Sequence, residues 1–422
     1  MAEARTFACT SCGASLTLRG LENTVSVACG HCGAVLDAKD PNLRILSKYR
    51  IQASLQPRIP LGTRGTFSGT PFEAIGFLKR RIRVDGLSYS WSEYLLFNPF
   101  KGFRWLTEYE GHWTLLETAQ PVPTLVLPST GGSYAGRNYR HFQSAQAEVS
   151  YVLGEFTWRV EVGETATVRD YVCPPFVLSA EQTGKEKAWS QGEYLDPETV
   201  WQAFKLPGSP PARKGVGACQ PNPAGRLRAW WTGFGILAAA ALMIQMLAVM
   251  LCANRQVLDT SWRIQAADVE KSKVTEPFVL EGRTSNLEIR TETDLNNAWA
   301  YFHMALIEAD AGTAREFGRQ VSYYHGVDDG ESWSEGRASD TVMLGAVPPG
   351  RYILRIEPEL QASSMTFQVH VRRDVPRWSL FWWTLLLLAV PLVYQGLWWY
   401  SFENRRWAES DHPWGGEGDD DD

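Results

Sequence analysis

The sequence predicts a multidomain, mostly β protein: a four-Cys zinc ribbon, tandem small β-barrel-like units, and two transmembrane α-helices flanking a β-sandwich-like domain. Two uncharged apolar stretches, two Cys-x-x-Cys motifs, and many short alternating runs separated by turn residues support this fold class. The predicted segments are a zinc ribbon (1–40), a tandem β domain (48–206), a Pro/Gly linker (207–228), a first span (229–254), an extracytoplasmic domain (255–377), a second span (378–402) and an acidic tail (403–422).

The two apolar stretches have the length and the flanking residues of membrane-spanning helices. A helix rises about 1.5 Å per residue and needs roughly 20 residues to cross the hydrocarbon core. Trp230 and Trp231 begin the first stretch, and Trp378, Trp398 and Trp399 flank the second, where indole rings prefer the headgroup level. The alternative is a pair of helices buried in a large soluble core. The pattern favours an integral, two-pass membrane protein.

The charges around the spans predict the topology in part. The N-terminal region has no apolar core, so no cleavable signal peptide is expected, and two crossings leave both termini on one side. Basic residues precede the first span more than they follow it: Arg213, Lys214, Arg226 and Arg228 against Arg255 and Arg263. The second span has a slight opposite bias, but the first helix usually dominates. We therefore expect a bacterial cytoplasmic (inner) membrane protein with cytosolic termini and residues 255–377 outside.

The cysteine spacing predicts one metal site near the N-terminus. Cys9, Cys12, Cys29 and Cys32 form two copies of the pattern Cys-x-x-Cys-Gly-Ala, and a tetrahedral Zn²⁺ site takes four such thiolates. Two disulfides or a rubredoxin-like iron site are the alternatives. Four sulfur ligands leave no open position, so one structural zinc per chain is expected, and free thiols favour a reducing compartment. Leu16–Leu18 and Val25–Val27 are predicted to form a hairpin between the motifs.

The net charge excludes one class of partner. The chain carries −6, and residues 409–422 contain seven acidic residues without Lys or Arg, so the rest is near neutral. No basic surface of the kind that nucleic acid requires is indicated. The acidic tail is expected to be solvated and to attract a basic partner, with Arg405 and Arg406 at the lipid headgroups.

The region from Gly62 to Phe204 is predicted to contain two related β units. Trp91-Ser-Glu93-Tyr94-Leu95 matches Trp189-Ser-Gln-Gly-Glu193-Tyr194-Leu195 apart from an insertion. Asp196-Pro197 is an N-cap followed by proline at the first helical position, which predicts a short helix.

These residues resemble a bacterial family, the domain of unknown function 4178. The resemblance covers about a third of the chain and depends on the following residues: Gly69, Gly76, Trp91-Ser-Glu93-Tyr94, Trp105-Leu106-Thr-Glu108, Gly111, Trp113, Gly154-Glu155-Phe156-Thr-Trp158, Asp170-Tyr171, Pro174-Pro175, Glu181 and Gly192-Glu193-Tyr194. Family members often join such a domain to a zinc ribbon and membrane segments. The family that these residues resemble has no established activity. The resemblance implies that the gene is often found together with membrane-stress and polyamine-related genes.

The aromatic and acidic residues of this region could line a groove for a ligand or a protein partner. The groove residues we predict are Trp91, Glu93, Tyr94, Trp105, Glu108, Glu155 and Glu193. Paired carboxylates among Glu93, Glu108, Asp170, Glu181 and Glu193 are the alternative basis for acid–base catalysis. No His or Ser nucleophile completes such a site, and His112 is expected to be exposed at a turn. We predict no catalytic residue, and a purely structural role of these side chains remains open.

The remaining segments complete the predicted architecture. Residues 207–223 hold five prolines and should form an extended tether. Between the spans, alternating runs suit a β-sandwich, with an aromatic loop around Tyr323-Tyr324-His325 that could bind sugar or protein. Gln245 and Thr384 could form a hydrogen bond between the spans.

The arrangement predicts a non-enzymatic inner-membrane adaptor or sensor, with a cytosolic interaction module and a function in membrane stress. The alternatives are a subunit or accessory enzyme of a membrane complex that acts on a small cationic (polyamine-like) or lipid substrate, and a packing subunit of a larger membrane assembly.

Overall fold

A computed structural model of the chain describes residues 5–49, 56–84, 86–123, 130–265, 271–328 and 330–414. The described residues fall into two compact units. The first comprises Met1–Leu227 with Val393–Asp422, and the second comprises Arg228–Leu392.

The first unit is built mainly from fifteen strands among its described residues. They are β1 (Arg5–Ala8), β2 (Ser15–Leu18), β3 (Ser26–Ala28), β4 (Ala34–Asp37), β5 (Ile45–Lys48), β6 (Arg64–Phe67), β7 (Thr70–Val84), β8 (Leu87–Asn98), β9 (Gly102–Tyr109), β10 (His112–Thr118), β11 (Gly131–Tyr134), β12 (Arg137–Phe156), β13 (Thr165–Cys173), β14 (Phe176–Thr183) and β15 (Glu186–Leu195). A 3₁₀ turn (Leu21–Asn23) and helix α1 (Pro197–Phe204) complete these elements.

Eight of these strands close into one antiparallel barrel. The ring order is β12-β13-β14-β15-β10-β9-β8-β7, and β7 pairs with β12 to complete it. The prediction of tandem small barrels is therefore wrong: β7–β10 and β12–β15 are two four-stranded meanders that each supply half of a single barrel. Each four-stranded meander alone would have two open edges. Pairing the two meanders along both edges leaves no open edge in the barrel. The two similar segments, which begin at Trp91 and Trp189, lie on β8 and β15. These are the second strand of one meander and the fourth strand of the other, so the similarity does not relate equivalent strands.

The Cys-containing region is joined to the barrel through its own strands. β3, β4 and β5 extend the sheet outward from β12, while β1 and β2 form a separate hairpin. The predicted hairpin between Leu16–Leu18 and Val25–Val27 does not form, because each Cys-x-x-Cys turn joins the strands on its own two sides. Gly154 pairs with both Ala28 and Gly76, and a Cβ at Gly76 would collide with the Glu155 carbonyl oxygen. Glycine at this crossing lets β12 contribute to both structures.

Helix α1 covers the outer face of the first meander. The Asp196 side chain accepts a hydrogen bond from the Glu198 backbone N–H, which confirms the predicted N-cap. Val200 and Phe204 are buried in a cluster with the strand residues Phe77, Tyr94, Leu106 and Trp113. This cluster is the largest aromatic core of the first unit and lies outside the barrel.

The Pro/Gly segment is not an extended tether, because it lies against the barrel and the end of helix α3 (Ser379–Trp407). The Lys214 N–H donates to the Glu110 carbonyl oxygen (2.9 Å), and Cys219 is buried. A segment that makes few hydrogen bonds of its own leaves carbonyl groups free to accept from other elements. Arg406 supplies the donors, as described below.

The start of the predicted acidic tail is also ordered against the first unit. Residues 403–407 continue α3, and the Asp411 N–H donates to the Phe142 carbonyl oxygen (2.9 Å). Trp414 packs against Trp399 and Tyr400 of α3. The acidic cluster from Glu417 onward lies outside the described residues.

The second unit contains two sheets that enclose one apolar core. One sheet has the order β16-β25-β19-β23, and the other has β17-β24-β20-β21-β22, with β18 also paired to β24. The strands are β16 (Arg255–Gln265), β17 (Lys273–Val274), β18 (Phe278–Leu280), β19 (Ser285–Thr293), β20 (Ala298–Glu308), β21 (Ala314–Asp328), β22 (Glu331–Arg337), β23 (Ser339–Val347), β24 (Gly350–Leu360) and β25 (Ser364–Arg373). Phe302 from one sheet meets Phe367 from the other, as the facing layers of a β-sandwich do.

Helices α2 (Leu227–Leu251) and α3 are long and apolar enough to cross a membrane, and most of their side chains are exposed. The predicted Gln245–Thr384 hydrogen bond is absent. Gln245 donates instead to the Arg377 carbonyl oxygen (3.0 Å), and the Thr384 hydroxyl donates to the carbonyl of Leu380 one turn earlier (2.8 Å). A threonine hydroxyl in a helix readily satisfies itself in this way.

Candidate metal centre and the polar interior of the barrel

The four predicted cysteines converge on one point. Their Sγ atoms all lie within 4.8 Å of one another, and the Cys9–Cys32 and Cys12–Cys29 separations are both 3.8 Å. A tetrahedron with metal–sulfur bonds of about 2.3 Å has sulfur–sulfur edges of about 3.8 Å. The geometry therefore fits one metal ion bound by four thiolates, and both separations are far longer than a disulfide bond.

The repeated hexapeptide folds identically at both motifs. In each, the first Cys N–H donates to the Ala carbonyl oxygen five residues later, and the Gly N–H donates back to the first Cys carbonyl oxygen. Gly13 and Gly33 have φ of 76° and 72°, a conformation that disfavours other residues. Sequence spacing alone thus determines the local shape of each half of the site.

The electrostatics of the four thiols favour a cation at their centre. Burial raises the pKa of the Cys29 thiol to about 12. At Cys32 burial is outweighed by hydrogen bonds, first among them one from the Ala34 backbone, which lower the pKa to about 6. The four thiols therefore do not all ionise together without a compensating charge. A bound cation reverses this preference, because it stabilises the deprotonated ligands. The His31 ring is not part of the cluster, although its backbone N–H donates to the Cys29 Sγ (3.4 Å).

Glu155, predicted to line a groove, instead ties the Cys-containing region to the barrel. Its side chain is only 1% exposed and accepts hydrogen bonds from the Arg19 N–H (2.6 Å), the Gly20 N–H (2.7 Å) and the Thr24 hydroxyl (2.8 Å). Burial raises the pKa of this carboxyl, although the three donors oppose that shift. Its contacts are structural, and it offers no free face to a partner.

A charged cluster occupies the interior of the barrel. Arg80 on β7 contacts Glu181 on β14 (Nη1–Oε1 2.7 Å), and these strands are not neighbours in the ring, so both side chains point inward. The Arg80 Nε lies 3.4 Å from Glu93, which also accepts a hydrogen bond from the Trp91 indole (2.6 Å). Burial raises the pKa of Glu93, and Arg80 opposes that shift.

Asp170 adds a further carboxylate to this interior. It accepts hydrogen bonds from the Ser179 hydroxyl (2.6 Å) and the Gln143 amide (3.2 Å), both on adjacent strands. Burial raises the pKa of Asp170, with these two donors opposing it. Three carboxylates, Glu93, Asp170 and Glu181, therefore share the barrel with one buried guanidinium. Each of the three carboxylates has a protein partner, whereas the Arg80 Nε and the Oε2 of Glu164, which lies beside Arg80 and Glu181, are buried without a hydrogen-bond partner among the described residues.

The other predicted groove residues lie on different faces of the barrel. Tyr94 and Glu108 are buried on the outer face, where the Tyr94 hydroxyl accepts from the Arg58 N–H (2.9 Å) and Glu108 accepts from the Gly111 N–H (3.0 Å). Glu193 is exposed, and Trp105 points inward and packs near Trp158. Neighbouring strand residues alternate between faces, so a motif contiguous in sequence does not form a single groove.

Two residues behave differently from expectation or were not anticipated. His112 is buried rather than exposed: its ring nitrogens lie 3.2 Å from the Tyr194 hydroxyl and 3.0 Å from the Lys214 carbonyl oxygen, and burial lowers its pKa. Arg80, the centre of the interior cluster, was not anticipated. The run Lys79-Arg80-Arg81 reads as a solvated stretch, and only the closure of the barrel distinguishes Arg80 from its neighbours.

A second unanticipated set of contacts, centred on Arg406, holds the segment before α2 against the end of α3. Arg406, predicted to lie at the headgroups, is 1% exposed and donates to the carbonyl oxygens of Gly217 (3.2 Å), Ala218 (2.7 Å) and Gln220 (2.6 Å). It also pairs with Glu403 (2.9 Å). Trp407 is buried in a cluster with the inward-facing residues Leu116, Val172 and Val177. We call this group, residues 217–220 with Glu403, Arg406 and Trp407, the C-terminal clamp.

Comparison with solved structures finds distant likenesses, including the following three chains. A chain of infectious bursal disease virus, Gt strain, is 12% identical with a TM-score of 0.18, covering 74% of this chain and 72% of its own. The corresponding Gx strain chain has 12% identity, a TM-score of 0.18, and coverages of 87% and 66%. A Trypanosoma rangeli sialidase in complex with 2,3-difluorosialic acid has 7% identity, a TM-score of 0.11, and coverages of 88% and 75%. At these scores the likenesses indicate neither a shared fold nor a shared function.

Comparison with curated proteins finds no match. A family model does match: the one described as Domain of unknown function (DUF4178) aligns with residues 60–197. That range contains all eight strands of the barrel and excludes the Cys-containing region and both apolar helices. The match supports assigning the barrel, residues 60–197, to the DUF4178 domain family.

Proposed function

We propose that this protein is a non-enzymatic adaptor or sensor anchored in the bacterial inner membrane, with the barrel and Cys-containing region forming a cytosolic module that recruits a protein partner. The observation that carries the proposal is the C-terminal clamp. It fixes the barrel rigidly to the end of an apolar helix, through a guanidinium that donates to three carbonyl groups. A module held in this way can transmit a change in the helix to its own surface.

The four-thiol site supports a structural role for the metal, which we propose is a single Zn²⁺. A zinc ribbon with four sulfur ligands has no open position for water or substrate. Strands of three or four residues cannot supply a large apolar core, so the metal would hold the region's fold. It would thereby keep β3 and β4 in place against β12.

The proposed topology puts both termini in the cytosol and residues 255–377 outside. Reduced zinc-binding thiols suit the cytosol, and the basic residues before α2 agree with that side. Under this topology the β-sandwich would act as the extracytoplasmic sensing domain. Reporter fusions after Val327 should be active only outside, and fusions before Trp230 or after Arg406 only inside.

The interior carboxylates favour an adaptor over an accessory enzyme, because they are bound by other side chains of the protein. Glu93, Asp170 and Glu181 each have a protein partner, and Trp105 points into the barrel and packs against the cluster that contains Trp407. An eight-stranded barrel has an interior just wide enough for side chains. A substrate would have to displace these contacts.

A purification in mild detergent tests the proposal. An adaptor should co-purify with one protein in fixed stoichiometry, and Arg406→Ala, which releases the clamp, should weaken that association while Arg405→Ala does not. Purified protein that is free of partners and turns over a small cationic or lipid substrate would instead establish the accessory-enzyme alternative.

A further inference from the structure

Strand β22 is a free edge of the six-stranded sheet in the second unit. The sheet order ends in β20-β21-β22, and no strand among the described residues pairs with the outer side of β22. All seven residues of β22 are exposed, and Trp333 keeps 47% of its surface accessible. An edge of this length offers backbone N–H and C=O groups to another strand.

Strand β22 lacks some of the usual protections of a sheet edge, although it carries three charged residues and Gly336 has a φ of 81°. Its sequence, Glu-Ser-Trp-Ser-Glu-Gly-Arg, contains neither Pro nor Lys, and its pairing with β21 runs without a register shift from Glu331 to Arg337. Within the described residues, Glu331 and Arg337 form no ion pair. An exposed tryptophan and two unengaged opposite charges therefore lie along an open strand.

We propose that β22 pairs antiparallel with β22 of a second copy of this chain, centred on Ser334. In this register Ser334 faces Ser334 of the second copy, Trp333 faces Glu335, and Ser332 faces Gly336. Glu331 faces Arg337 at both ends of the ladder. Directly opposed unlike charges stabilise an antiparallel pair, and like charges destabilise it.

The neighbouring registers are less favourable. Centring the ladder on Trp333 puts Glu331 opposite Glu335, and centring it on Glu335 puts two copies of that carboxylate face to face. Of these three registers, only the Ser334-centred one opposes no like charges. It also makes the two Trp333 rings diagonal neighbours, at about 7–8 Å between Cα atoms, which is within reach of aromatic side chains. The pairing would therefore cover the exposed indoles of both copies.

Cysteine cross-linking in membranes tests the register. Ser334→Cys should give a disulfide-linked dimer under mild oxidation, because only this residue faces itself. Ser332→Cys is the matched control: it is equally exposed on the same strand, but faces Gly336 of the second copy and should remain at the wild-type background. Equal cross-linking at both positions, or none above background at Ser334→Cys, would overturn the proposal.

Charge reversal tests the ends of the same ladder. In the Ser334→Cys protein, Glu331→Arg or Arg337→Glu introduces two like-charged pairs by symmetry and should slow cross-linking about tenfold. The double variant Glu331→Arg/Arg337→Glu restores opposite charges at both ends and should recover the original rate. Recovery also shows that the strand remains folded. A double variant as slow as either single variant would contradict the pairing.

Discussion

Removing the Glu155 carboxylate should loosen the Cys-containing region from the barrel while the barrel remains folded. Three donors converge on this carboxylate, at 2.6, 2.7 and 2.8 Å, and two are backbone N–H groups of residues 19 and 20. Hydrogen bonds to a charged group contribute about 1.5–3 kcal/mol each. Glu155→Ala removes all three, but it also removes the cost of burying the carboxylate, which is the cost that raises its pKa, so we expect the local opening free energy to fall by about 3–5 kcal/mol.

Glu155→Gln provides a graded version of this change. It keeps the volume and one acceptor oxygen, but its amide nitrogen faces a backbone N–H. The neutral amide avoids the cost of burying a charge, which is the cost that raises the Glu155 pKa, and this offsets part of the loss. We therefore expect the local opening free energy to fall by about 1–2 kcal/mol.

Hydrogen–deuterium exchange on the full-length protein measures this opening at β3, which pairs with β12 beside Glu155. The amides of Ser26–Ala28 should exchange roughly 5- to 30-fold faster in Glu155→Gln, and faster still in Glu155→Ala. The matched control is Glu193→Gln, at an exposed position of the same domain, which should leave these rates unchanged. The reasoning fails if Glu155→Ala leaves β3 exchange as in the wild type, or if the control accelerates it equally.

Three further changes test other parts of the structure. Cys12→Ser should lower bound metal from one ion per chain to well below one, measured by elemental analysis of protein purified without added metal; full retention would rule out four-thiol ligation. Arg406→Ala should expose the Pro/Gly segment to limited proteolysis within residues 207–226, at a cost of about 2–4 kcal/mol for the charged hydrogen bonds lost, whereas exposed Arg405→Ala should not change the cleavage pattern. Asp170 has a raised pKa in the fold, so the folded state holds its proton more tightly than the unfolded state, and this contribution to stability is present below pH about 4 and is lost as pH rises through the folded pKa. Asp170→Asn should therefore flatten the pH dependence of barrel unfolding above pH about 4, and an unchanged slope would argue against a buried Asp170 carboxyl.

Features that depend on residues close in sequence could be predicted from it. Each Cys-x-x-Cys-Gly-Ala turn is held by hydrogen bonds within six residues, so its spacing was sufficient to predict the thiol cluster. The Asp196 cap and the following proline likewise specify the start of α1 within a single helical turn. The apolar helices were recognisable because length and composition alone define them.

The barrel and its interior depended on contacts between residues far apart in the sequence. Arg80 meets Glu181 across 101 residues, and Arg406 reaches Gly217 across 189. Strand alternation shows that two residues share a face, but it does not show which face becomes the interior until the sheet closes. For this reason the sequence predicted two barrels and a single groove, whereas the structure has one barrel with carboxylates on both faces.

The chemistry of Glu155 and Arg406 illustrates the same limit. Each is an ordinary charged residue in the sequence, and each becomes almost fully buried because backbone groups from a distant segment satisfy its charge. Local sequence determined the four-cysteine cluster, the start of α1 and the two apolar helices. Tertiary structure decided which charges are buried, because burial of a charge requires partners that only the folded chain brings together.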